Sequence, residues 1–157
     1  MSLTEENYRN YDVDCFFIAG NKLCHLASFG GELPREIVAS FKTYQEILTI
    51  VSLLPQRFCV IVEEQQILYE REKGNKLGAD LYLRTFEAMA SRGFYSFDRV
   101  QAENGSEDSY KLVARPIIEN NSHDYQSIVQ SLETELPNIQ RDLPSDCKEI
   151  ELSALFR

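Results

Sequence analysis

The alternation of apolar and polar residues is clearest near the start of the chain, in YDVDCFFIAGNKLCHLASFGG. Tyr11, Val13, Cys15 and Phe17 alternate with Asp12, Asp14 and Phe16, and a second β-like run extends from Leu23 to Phe29. Gly20-Asn21 between them tolerates positive φ, so the stretch predicts a β-hairpin that Gly30-Gly31 brings to an end. The period then changes. After Pro34, which suits a first helical turn, Ile37, Phe41, Tyr44, Leu48 and Val51 recur every three or four residues. Val38, Ile47, Ile50 and Leu54 widen that stripe, so one well-buried helix is expected up to Pro55.

Phe58 to Val62 is rich in β-branched residues and predicts a strand. Ile67 to Glu70 fits its hairpin partner, but EEQQ lacks turn formers, and a helix from about Glu63 to Lys73 fits as well. Gly74-Asn75 is a break. A helix follows on Leu77, Leu81, Phe86 and Met89, with Gly93 where a left-handed C-terminal cap belongs. FYSFDRVQA and SYKLVARP are strands joined by the turn-rich ENGSEDS. Ser122 is placed to cap a third helix with the stripe Tyr125, Ile128, Val129, Leu132 and Leu136, closed by Pro137. The tail has a short apolar end at Ile150, Leu152, Leu155 and Phe156.

The order is strand, strand, helix, three times over, with no repeat of side-chain identities. It predicts an α+β domain: a mainly antiparallel sheet of five to seven strands with three helices. Hairpin links are too short for parallel crossovers. Residues 1–144 form the domain in this scheme, and 145–157 form an arm packed on it or on a partner subunit.

Charge narrows the partners. The 157 residues carry a formal net charge of −9, which argues against nucleic acid and against anionic membrane surfaces. Residues 117–157 hold eight acids against three bases, either an acidic surface for a basic partner or a solvated face. No apolar run nears the roughly 20 residues of a membrane span. The opening residues lack the basic and apolar regions of a secretory signal, so the cytoplasm is expected, although a cleaved signal would leave no trace. The four cysteines show no CxxC spacing. Cys15, Cys24 and Cys59 sit among apolar residues and are expected to be buried thiols, with a Cys15–Cys24 disulfide across the hairpin as the oxidised alternative.

The chemistry-bearing residues are few. Cys24-His25 resembles a nucleophile beside its base, but neighbours in a strand point to opposite faces, leaving His123 as the other candidate base. Gly30-Gly31 precedes a helix in the order of an anion site, yet Glu32 and Glu36 oppose phosphate where Arg35 alone favours it. Asp12 and Asp14 share a strand face, which fits a solvent-facing edge better than a cation site. The aromatic run at 94–99 offers Asp98 with Arg99, Arg115 and Tyr95 as ligand-binding candidates. His25, if its face is buried, requires a hydrogen-bond partner and is a structural or site histidine. No catalytic signature, metal set or cofactor motif emerges. Two functions are expected: a non-enzymatic acidic module that binds a protein partner or itself, with IELSALF as a pairing arm, or a small-ligand protein or enzyme with a pocket beside 94–99.

Overall fold

A computed structural model describes residues 2–63, 76–100, 108–119, 122–144 and 146–157. The hairpin forms as the pattern dictates. β1 (Asp14–Ala19) and β2 (Lys22–Ala27) pair antiparallel, with Phe17 opposite Cys24 and Gly20 in the turn at φ 59°. A Cβ at Gly20 would lie 1.6 Å from the Asp142 carboxylate, so space as well as backbone angle demands glycine there. Both faces of the hairpin are buried, which explains the unbroken apolar run Cys15–Ala19.

The single helix expected over 34–54 is broken. α1 (Arg35–Ala39) runs into a 3-10 turn at Ser40–Thr43 and then α2 (Tyr44–Leu53). Ile37 and Phe41 pack with Phe17 and Leu26, whereas Ile47 and Val51 pack with Phe16, Ile18 and Leu23. Phe16 and Phe17 are on opposite faces, so this segment serves both sides of the sheet. One straight amphipathic rod cannot do that, and the tight turn is where it changes sides.

β3 (Val60–Val62), α3 (Lys76–Ser91), β4 (Phe94–Arg99), β5 (Ser109–Pro116), α4 (His123–Leu132), β6 (Asn138–Ile139), β7 (Glu149–Glu151) and α5 (Leu152–Leu155) complete the order. The choice between strand and helix at Glu63–Lys73 lies, beyond Glu63 itself, outside the described residues. Among the described residues seven strands form one sheet in the order β3-β5-β4-β2-β1-β6, with β7 also on β5. The fold is α+β, but the sheet is mixed and not mainly antiparallel. β2 pairs parallel to β4, and β1 parallel to β6. Short links keep the hairpins antiparallel. The long passage from β2 to β4 is a crossover with room for a parallel return.

β5 carries a bulge. Ser96 faces Ala114 and Phe97 faces Leu112, leaving Val113 as the extra residue. At that point two short strands meet end to end along the outer side of β5. Glu63 N donates to Val113 O at 2.8 Å, Leu112 N donates to Lys148 O at 2.8 Å, and Lys148 Nζ reaches Glu63 Oε2 at 2.7 Å.

Ser122 Oγ accepts from Tyr125 N and caps α4, as expected. Tyr125 goes further. Its hydroxyl accepts from Leu23 N and donates to Gly93 O, both at 2.9 Å, tying the starts of β2 and β4 to the helix. On α3 the inward stripe differs from the expected one. Leu77 and Leu81 are 67 % and 53 % exposed, and Ala79, Leu83, Phe86 and Ala90 are buried. Two apolar stripes compete on this helix, and small Ala90 on the winning one permits close packing against the sheet. The C-terminal segment covers the opposite face: β7 pairs with β5, Leu152 is fully buried, and Phe156 meets Phe17 edge-on at 5.1 Å. Among the described residues no helix is long and apolar enough to cross a membrane.

Candidate functional site

Strand geometry separates the thiol from the imidazole. Cys24 belongs to the cluster around Phe17, and His25 projects from the other face, its ring centre 5.3 Å from that of Phe16 and 6.0 Å from that of Phe86. Burial pushes the Cys24 and Cys15 thiols well above their ordinary range, so neither supplies a thiolate near neutral pH. Both are free. Cys15 stands opposite Leu26 and is diagonal to Cys24, which is opposite Phe17. Cys59, expected to be buried, is exposed because it precedes the short outer strand β3. His123 is exposed in the first turn of α4.

His25 is fully buried, and both ring nitrogens are engaged. Nε2 is 2.8 Å from Asp14 Oδ1, and Nδ1 is 2.6 Å from Ser96 Oγ. The register produces this row. Ser96 on β4 is directly opposite His25, and Asp14 on β1 is two residues from Phe16, which faces His25. A carboxylate accepts only, so Nε2 carries the hydrogen, and in the neutral ring Nδ1 accepts from the Ser96 hydroxyl. The residue types are those of an acid–base–nucleophile chain. Ser96, however, is sealed, with no exposed surface, while the Asp14 side chain is 41 % exposed. The row therefore opens to solvent at its carboxylate end and closes at its hydroxyl end. Asp14 is thus not a plain solvent-facing edge residue, and neither is Asp12, whose Oδ1 accepts from Phe29 N at 2.8 Å.

The four candidates around 94–99 are divided between the two faces. Asp98 lies on the α3 side: Tyr82 donates its hydroxyl to Oδ2, and Arg99 N donates to Oδ1 at 2.9 Å. Tyr95 packs with the Phe17 cluster; burial raises its hydroxyl pKa, and the Arg115 charge opposes that shift. The Arg99 guanidinium turns to the loop after β2, donating from Nη1 to Phe29 O at 3.1 Å and packing close to Gly31. Asp98 is paired, and a cleft of about 540 Å³ opens elsewhere, between Leu33, Pro34, Arg35 and Glu36 at the start of α1 and Ser153 and Phe156 at the C-terminus.

Sequence reasoning missed Ser96, Tyr82 and Phe29. Period two did contain part of the signal, because it places Ser96 and Asp98 on one face of β4. Phe29 carried none: it is 54 % exposed and holds φ 48°, a conformation that costs a bulky residue about 1–2 kcal/mol. Comparison of the chain with protein-family models, curated proteins and solved structures finds no match to any of them.

Proposed function

We propose that the protein is a non-enzymatic interaction module whose acidic C-terminal flank binds a basic protein surface. One observation carries this reading. All eight acids of 117–157, from Glu119 to Glu151, are exposed, and none is in an ion pair among the described residues. Two of the three bases in 117–157 are already engaged within the chain: Lys148 on Glu63, and Arg141 Nη1 on Ala154 O at 2.6 Å. The flank therefore presents net negative charge with little internal neutralisation, suited to steering and holding a cationic partner. The buried, protonated thiols and the sealed Ser96 hydroxyl favour binding over covalent chemistry. Four free cysteines accord with a reducing compartment such as the cytoplasm.

Titration with an oligolysine peptide of about ten residues tests this reading. The dissociation constant should weaken about tenfold between low and moderately high salt, and binding should vanish when Glu133, Glu135, Asp142 and Asp146 are changed to their amides. Absent or salt-insensitive binding would sink it. A second reading, a small-ligand site or enzyme beside strand 94–99, rests on the Asp14–His25–Ser96 row and its solvent-facing carboxylate. Chemical-shift changes at His25 and Asp98 on addition of a small-molecule panel, with none in the acidic flank, would favour it.

A further inference from the structure

Strands β2, β4 and β5 bring Lys22, Tyr95 and Arg115 to one face of the sheet. Tyr95 is opposite Cys24, and Lys22 stands two residues before Cys24 on the same face. Ser96 faces Ala114, so the residue across from Tyr95 is Arg115, with Ile61 on its other side. This is the Phe17 side, where Cys24 and Tyr95 pack. Opposite residues in a sheet lie about 5 Å apart and diagonal ones about 7–8 Å, within reach of three long side chains converging on one point.

All three side chains are half-buried, and among the described residues none has a hydrogen-bond or ion-pair partner. The other two half-buried bases do: Arg92 donates to Ala88 O and Arg99 to Phe29 O. Half-buried polar groups are costly without partners, and an ammonium, a phenol and a guanidinium all donate. The nearby acids leave them unmatched. Glu63 is held by Lys148, while Asp142 beside Gly20 and Asp146 beside Cys147 are exposed and paired with neither Lys22 nor Arg115. Ile117, two residues beyond Arg115 and 46 % exposed, adds an apolar flank on this face.

We propose that Lys22, Tyr95 and Arg115 form a binding site for a small organic acid. Its carboxylate or phosphate oxygens take the three donors, with the guanidinium fork as the main contact, and its apolar body lies against Ile117. The site is separate from the acidic flank's use as a docking surface.

Titration of the full chain with benzoate, phenyl phosphate and inorganic phosphate to about 20 mM, followed by NMR at the arginine Nε–H and backbone amides, tests the proposal. Benzoate or phenyl phosphate should give saturable shifts at Arg115 and Tyr95. Inorganic phosphate, which lacks the apolar body, should bind at least about fivefold more weakly than phenyl phosphate. Arg115→Met should weaken binding at least about tenfold, and Arg115→Lys, which keeps the charge and loses the fork, about threefold. Lys42→Met, at an exposed base elsewhere, should leave binding unchanged. The quadruple amide variant that abolishes oligolysine binding should bind benzoate at least as tightly as the wild type, so the two readings fail separately. Absence of saturable shifts, binding that survives Arg115→Met, an equal loss in Lys42→Met, or inorganic phosphate bound as tightly as phenyl phosphate would each overturn the proposal.

Discussion

Two polar bridges join β2 to β4, and they differ in one respect. At the start of the strands Tyr125 links Leu23 N to Gly93 O within a closed apolar cluster. Two residues along, His25 links Ser96 to Asp14, and the Asp14 end is open to water. The first bridge is a clamp, with every group satisfied and no route to solvent. The second has the same role in holding strands together, but its outer carboxylate can be rehydrated. Loss of a closed bridge leaves a buried group stranded, whereas loss at an open end is softened by water.

The contrast predicts a graded series. His25→Ala should cost most, about 3–4 kcal/mol in urea denaturation, because it empties a fully buried site between Phe16 and Phe86 and strands Ser96 Oγ. Tyr125→Phe should cost about 2–3 kcal/mol by leaving the buried Leu23 N–H without an acceptor. Alkaline pH should follow. Burial raises the pKa values of Cys15, Cys24 and Tyr125, so the folded chain keeps protons that the unfolded chain releases above about pH 9 for the thiols and about pH 10 for the phenol. Their contribution is complete below those values. As pH rises above them, stability should fall by about 1.4 kcal/mol per pH unit for each such group, seen as a falling urea midpoint. Ser96→Ala should cost about 1–2 kcal/mol, since it removes little volume but leaves the buried His25 Nδ1 without a partner. Asp14→Asn should cost least, under about 1 kcal/mol, because the group is partly solvated. If Asp14→Asn proved as damaging as Tyr125→Phe in the same titration, the distinction between open and closed bridges would fail.

These effects centre on residues that were only partly legible in advance. His25 signalled that it needed a partner, and the partner carboxylate across the hairpin is Asp14, already singled out beside Asp12 for another reason. Ser96 gave no signal as a partner because it lies 71 residues away, and nothing local relates the two strands. Asp98, Arg99, Arg115 and Tyr95 are close in sequence or in predicted pairing, yet alternation divides them between faces. Phe29 was legible only as the end of a strand. Its positive φ comes from Asp12, Arg99 and the two glycines acting together.

Local chemistry by itself determined the β1–β2 hairpin with its Gly20-Asn21 turn, the Ser122 cap, the glycine that ends α3, the α+β content and the opposed directions of Cys24 and His25. Each follows from the angles one residue can adopt or from a period of two or 3.6, and neighbours in the chain suffice for that. Tertiary structure alone decided the parallel pairing of β2 with β4, the break in the helix at Ser40–Thr43, the inward stripe of α3 and the row that closes on Ser96. All four depend on which apolar surfaces meet across long separations. Periodicity shows that a surface must be buried and leaves open what it is buried against.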